Sequence, residues 1–291
     1  MAVLRRLADS PHRPALVVTP PDRRRGRGRR VGSPPAAGAA SELGLELLQT
    51  ESINLPDAVD AIRAVSPDLG VVCAFGQLIK DPLLSELEML NVHPSLLPRW
   101  RGAAPIERAI MAGDPETGVS IIRVTAGLDS GPIAMQQALQ IGEHEDCGAL
   151  WPRLAELGGE LIVGALDART AGTLELTDQD DAEATYAQKV SPGERRLDPS
   201  RPARELELVV RALNPHIGAY LELDGGEPLG VRQARAEPEG RLEQGRLAGN
   251  GTLRLGCAEG ALRLELVQPA GRRPMPADAY LRGHALPSLA R

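Results

Sequence analysis

Three side chains form a candidate reaction centre: Asn91, His93 and Asp129. Asn91 and His93 lie in the run Leu90 to His93, which reads as a short buried strand. Alternation along a strand puts residues two apart on the same face. In an open α/β sheet, ligands bind beyond the carboxyl ends of the strands. An amide and an imidazole projecting together there can hydrogen-bond an oxygen that gains negative charge during a reaction. Asp129 sits in Gly127-Leu128-Asp129-Ser130-Gly131, after a second strand at 119–124. A carboxylate beside an imidazole raises its pKa and fixes its tautomer. Each feature has a plainer reading when taken singly. Asn91 can cap a turn, His93 can be a hydrogen-bonded core residue, and Asp-Ser-Gly is common turn chemistry.

Other chemistries find little support. Gly26-Arg27-Gly28 is not a dinucleotide fingerprint, and the sequence holds no P-loop, H-E-x-x-H or G-x-S-x-G motif. His144 between Glu143 and Glu145 reads as solvated loop charge, so no metal is expected. Cys73, Cys147 and Cys257 are far apart and odd in number, without C-x-x-C spacing. That disfavours a disulfide framework and a zinc ribbon and leads us to expect a reducing, cytoplasmic setting. No apolar run approaches the ~18 residues of a membrane span, and no signal peptide is legible at the start.

One segment stands apart by charge. Residues 21–30 hold six arginines. Mutual repulsion argues against a packed helix and for a flexible loop. Such a loop suits a phosphate backbone, where each cation neutralises a phosphate and releases a counterion. The chain as a whole carries a net charge of −6, so any nucleic-acid contact must be local. Aromatic residues are only 2%, too few for a base-stacking surface.

The elements that must hold these residues follow from periodicity. Helices are expected over 2–8, 35–43, 55–65, 104–111, 147–169 and 203–213. Strands are expected over 15–18, 45–48, 69–75, 90–93, 119–124 and 132–141, with 69–75 as a central strand. Their alternation indicates an α/β domain with a largely parallel, Rossmann-like sheet. Short Gly-broken strands at 219–223, 230–234, 252–255 and 262–267 indicate a small β-barrel resembling an OB fold. The expected division is a catalytic domain over 1–184, a Pro-rich linker over 185–203 and a β-barrel domain over 204–291.

Asn91-Val92-His93-Pro94-Ser95-Leu96-Leu97-Pro98-Arg99-Trp100-Arg101-Gly102-Ala103-Ala104-Pro105-Ile106, followed by Gly-Leu-Asp-Ser-Gly at 127–131, resembles the methionyl-tRNA formyltransferase family. The likeness extends to the arginine segment, the strand near Val71 to Ile79, Leu213-Asn214-Pro215 and the ending at 268–275. It therefore spans essentially the whole chain. The resemblance implies a one-carbon transferase that moves a formyl group from 10-formyltetrahydrofolate to the amino group of methionyl initiator tRNA. It implies a monomer with no metal and no membrane partner.

By the same match, Asn91, His93 and Asp129 are the catalytic positions. Ser95, Leu96, Leu97 and Pro98 fall on a folate-binding loop, and Phe75, Gln77 and Ile79 border the pterin pocket. Arg24, Arg25, Arg27 and Arg29 face tRNA, with Arg27 on the family's loop arginine. In this reading Asp129 keeps His93 protonated, and Asn91 with charged His93 stabilises the oxyanion. The family pattern also places a strand and a Gly-Thr-Pro-x-Phe turn before the first helix. This chain starts at Met1 inside that helix, so the resemblance implies that the first strand is missing. His216-Ile217 replaces the family's usual Trp-Pro. The alternatives are another formyltetrahydrofolate-using formyltransferase, or a truncated inactive relative that only binds tRNA.

Overall fold

The computed structural model describes residues 1–25, 30–249, 251–286 and 288–289. The chain divides into two compact units, one formed by Met1–Ala103, Thr117–Leu139 and Pro152–Tyr186, the other by Ala104–Glu116, Gln140–Trp151 and Ala187–Arg291.

The order of elements up to residue 187 is α1 (Ala2–Ala8), β1 (Val17–Thr19), β2 (Arg23–Arg25), β3 (Arg30–Gly32), α2 (Pro35–Glu42), β4 (Leu47–Gln49), α3 (Pro56–Ala64), β5 (Gly70–Cys73), α4 (Leu83–Glu86), β6 (Met89–His93), β7 (Arg101–Gly102), α5 (Pro105–Ala112), β8 (Glu116–Arg123), β9 (Ile133–Gln140), α6 (Cys147–Thr170) and β10 (Tyr186–Ala187). Proline stands at the start of α2, α3 and α5, where its fixed φ fits and its missing N–H costs nothing.

In the first unit, β1 and β4 form a parallel pair. A second sheet runs β5-β6-β8-β9, with β5 parallel and β8 antiparallel to β6. Strand β6 is therefore flanked on both sides. Its residues Met89, Leu90, Val92 and His93 are buried, and α6 covers it closely. A Cβ at Gly158 of α6 would lie 2.7 Å from the Val92 side chain, so glycine there sets the helix-to-sheet distance. The strand expected over 69–75 is shorter and less central than its apolar run implied. Strand β5 has one hydrogen-bonded strand neighbour among the described residues, and Cys73 at its end is exposed.

On either side of residues 26–29 the arginine segment is paired rather than irregular. Its arms pair as an antiparallel ladder, Arg23 with Gly32, Arg24 with Val31 and Arg25 with Arg30. The base is anchored by Arg23 on Glu51 and by Asp22, which accepts a bond from Gln49. Arg24 and Arg25 are described by backbone only, and Arg27 and Arg29 lie outside the described residues.

The second unit contains α7 (Ala203–Leu213), β11 (Ala219–Glu222), β12 (Pro228–Glu237), β13 (Leu247–Ala248), β14 (Leu253–Gly256), β15 (Ala261–Gln268), β16 (Met275–Pro276) and α8 (Ala277–Gly283). These strands form a curled antiparallel sheet in the order β11-β12-β15-β14-β13, with β16 paired to β15. Register shifts at 231–234 of β12 give the local extra twist that bulges produce. Leu206, Val209, Val210 and Leu213 of α7 pack on Leu221, Leu229, Leu253, Leu262 and Leu264 of the sheet. Residues 185–203, expected as a linker, bury Ala187 and Leu197.

Candidate active site

Asn91 and His93 lie on β6 opposite Ile122 and Ser120 of β8. Their side chains meet the same carboxylate. Asn91 Nδ2 donates to Asp129 Oδ1 at 3.3 Å, and His93 Nδ1 lies 3.6 Å from Asp129 Oδ2. The Gly102 amide donates to Asp129 Oδ2 at 2.9 Å. The three sequence-expected residues are thus brought together at the carboxyl end of a central strand.

The loops that deliver Asp129 and Trp100 are strained. Asp129 has φ 47° and Trp100 φ 65°, a left-handed conformation that costs of order 1–3 kcal/mol for a residue with a side chain. The surrounding bonds hold both in place. The turn after Asp129 also needs glycine, because a Cβ at Gly131 would fall 1.8 Å from the Arg123 carbonyl oxygen.

His93 Nε2 lies 2.9 Å from the Trp100 carbonyl oxygen. A carbonyl only accepts, so Nε2 carries the proton and donates. In the neutral ring Nδ1 therefore holds a lone pair, and that lone pair faces Asp129. Burial pushes the His93 imidazole below its ordinary pKa, while the Asp129 charge and the Trp100 carbonyl push it up; burial is the largest of the three. This corrects the expectation that Asp129 keeps His93 protonated. With the side chain only 4% exposed, the cost of desolvating an imidazolium outweighs one carboxylate at 3.6 Å. Burial thus favours the neutral imidazole, against the pull of the two acceptors at its ring nitrogens.

The loop over 95–99 is braced from below. Ser120 Oγ donates to the Ser95 carbonyl at 2.7 Å and accepts from the Leu97 amide at 3.1 Å. Gln136 Nε2 donates to Ser120 Oγ and to the Leu97 carbonyl. Ser95 and Leu97 are buried, and Ser95 Oγ donates to the Arg99 carbonyl. The side chains of Ser95 and Leu97 shape the loop, and Leu96 and Pro98 beside them are half-buried. Of the second expected segment, Ile79 is core and Phe75 packs against the same cluster. Gln77 is engaged with the chain itself: it accepts from Ile53 and donates to the Glu51 carbonyl.

Residues outside the sequence expectations complete the frame. Gln179, Thr185, Ser120 and Gln136 lie far from the Asn-x-His pair in sequence and carry no local motif. Among the described residues, no cluster of three or more His, Cys, Asp or Glu side chains could hold a metal, and no helix is long and apolar enough to cross a membrane.

Residues 2–166 match the formyl transferase family, and residues 189–285 match the formyl transferase C-terminal domain. Among solved structures, HypX from Aquifex aeolicus in complex with tetrahydrofolic acid shares the fold at TM-score 0.63 and 20% identity, covering 84% of this chain and 43% of that one. This chain thus spans less than half of HypX. A methionyl-tRNA formyltransferase from Clostridium thermocellum superposes at TM-score 0.52 and 18% identity, covering 70% of this chain and 88% of that one. The methionyl-tRNA formyltransferase of Halorhodospira halophila is 43% identical over 96% of this chain and 91% of its own length. That of Methylococcus capsulatus is 40% identical over 97% of this chain and 93% of its own length. Identity of this extent, running through both halves of the chain, means that the chain belongs to the methionyl-tRNA formyltransferase family.

Proposed function

We propose that this protein transfers the formyl group of 10-formyltetrahydrofolate to the α-amino group of methionine on initiator tRNA, in the cytoplasm, for translation initiation. The observation that carries the reading is the convergence of Asn91, His93 and Asp129 at the end of β6. The amine nitrogen attacks the formyl carbon, and negative charge develops on the formyl oxygen. Asn91 spends one amide proton on Asp129, and its second is free to donate to that oxygen. His93 Nδ1 accepts the proton lost by the amine, and the imidazolium formed is stabilised by Asp129 beside it. Collapse breaks the bond from the formyl carbon to the folate nitrogen, which takes the proton from the His93 imidazolium and returns the ring to its neutral form.

The folate fits the region bordered by the 95–98 loop and the 75–79 segment, with the half-buried Leu96 and Pro98 as contacts. Arg24, Arg25, Arg27 and Arg29 engage the phosphates of the tRNA, aided by the β-domain over 204–291. Residues 1–184 supply the chemistry. The test is direct. The purified chain, given 10-formyltetrahydrofolate and methionyl initiator tRNA, should yield formylmethionyl-tRNA. Absence of product with a folded protein would refute the reading.

A further inference from the structure

We propose that Gln179 is a positioning residue that aims the Asp129 carboxylate at His93, acting from a strap over residues 177–185. This inference rests on the reading of the reaction centre given above.

Every hydrogen-bonding group of the Gln179 amide is used. Its Nε2 donates to the Asp129 carbonyl at 2.9 Å and to the Gly131 carbonyl at 2.7 Å. Its Oε1 accepts from Arg101 Nε at 3.0 Å. One side chain therefore ties the two loops of the site together. The first is the strained turn holding Asp129. The second is the Trp100-Arg101-Gly102 segment, whose carbonyl fixes the His93 tautomer and whose amide holds Asp129 Oδ2.

The rest of the strap grips the same segment. The Arg101 amide donates to the Thr185 carbonyl, and the Trp100 amide donates to Thr185 Oγ1. Arg101 is buried and reaches Asp181 at 2.8 Å. At its other end the strap exchanges two backbone bonds between Thr177 and Ile133. Asp129 is a non-glycine residue at positive φ, so its turn has a conformational preference to leave. The two amide protons of Gln179 clamp the carbonyls on either side of that turn, which opposes the escape.

A purely structural strap and a positioning strap predict different behaviour for two near-isosteric variants. Gln179→Met keeps the volume and loses all three bonds. Gln179→Glu keeps the bond from Arg101 and adds charge to it, but a carboxylate cannot donate to either carbonyl. If Gln179 only holds the strap down, Gln179→Glu should resemble the wild type. If it aims Asp129, both variants should fail, because both release the Asp129 turn.

The experiment measures kcat, KM for 10-formyltetrahydrofolate, and the His93 titration by NMR, with His93→Gln identifying the resonance among five histidines. Asp129 is the charged group acting on His93, so its retreat should lower the imidazole pKa. The expected result is a kcat loss of roughly 10–100-fold in both variants, the scale of a misplaced group, with KM changed little. The His93 titration should move to lower pH in Gln179→Met, which adds no charge of its own. Wild-type kcat in Gln179→Glu, or a kcat loss with an unmoved His93 titration in Gln179→Met, overturns the proposal. The titration requires no turnover. An inactive wild-type chain would therefore refute the proposed function and leave the positioning of Asp129 separately readable.

Discussion

The His93 site and the arginine segment use charge in opposite ways. Around His93 a single carboxylate, 16% exposed, is held by Asn91, by the Gly102 amide and through Gln179. Its effect is local and geometric, and burial leaves it little screened by salt. In the arginine segment six cations crowd into ten residues of sequence, with Arg23 tied to Glu51 at the surface. No single distance there has to be right. The effect is the summed field, which falls off over about 8–10 Å at ordinary salt. The first arrangement suits a reaction coordinate, and the second suits a polyanion that arrives from solution. The two should therefore respond differently to mutation, pH and salt.

The largest effect should come from removing the reacting groups. His93→Ala and Asn91→Ala should each lower kcat by at least about 10²-fold, the range for lost acid–base or oxyanion help. KM for charged tRNA should change little. The loss should be the same at low and high salt, since neither group depends on screened charge. Steady-state kinetics at two ionic strengths checks this, and a variant with near-normal turnover would remove its residue from the mechanism.

Asp129→Asn should give a smaller effect with a direction in pH. His93 acts when unprotonated, and burial already holds its pKa low while Asp129 holds it up. Neutralising Asp129 should let the pKa fall further, so the acid limb of the kcat/KM profile should move to lower pH. Turnover on the plateau should still drop, because the imidazolium formed during reaction loses its partner. A profile with an unmoved acid limb would break the assignment.

The same burial makes a statement about stability. The unfolded chain protonates its histidines near pH ~6.5, above the folded pKa of His93. Between these values the unfolded state binds more protons. Wild type should thus lose stability relative to His93→Gln as pH falls below about 6.5, with the gap levelling off once pH passes the folded pKa. Denaturant melts at several pH values test this. A difference that stays constant from pH 8 to 5 would mean that His93 titrates alike in both states.

How much of this was legible in the sequence depended on whether the cause was local. Pro35 and Pro56 marked helix starts, and the apolar spacing of 203–213 gave α7 to the residue. Asn91 and His93 were readable because strand alternation alone puts them together. The protonation state of His93 was not readable, because it depends on the helix, sheet and loops that bury it. Gln179 was equally hidden. It lies 50 residues from Asp129, and its role is a set of bonds to backbone carbonyls that no motif encodes. The β2–β3 ladder was masked by composition, since repulsion between arginines says nothing about the Asp22 and Arg23 anchors at its base.

The smallest effect at any one salt concentration should come from a single arginine of the segment, and its diagnostic value lies in the salt dependence. Each Lys or Arg that neutralises a phosphate releases counterions, so log affinity falls with log salt by about 0.7–0.9 per contact. Arg27→Ala should therefore flatten that plot by about 0.7–0.9, and replacing Arg24, Arg25, Arg27 and Arg29 together should flatten it by up to about fourfold as much. KM for charged tRNA should rise most at low salt, where counterion release is worth most, and the curves of wild type and variant should converge as salt is raised. kcat at saturating tRNA and KM for 10-formyltetrahydrofolate should hold steady, because the bonds around His93 and Asp129 come from Asn91, Trp100, Gly102 and Gln179. The acidic balance of the chain sharpens the expectation, since a net charge of −6 leaves little general attraction for a polyanion to fall back on. A quadruple variant with an unchanged slope would erase the contrast between the two regions. It would make the arm a solvated surface feature and shift the phosphate contacts to the β-domain.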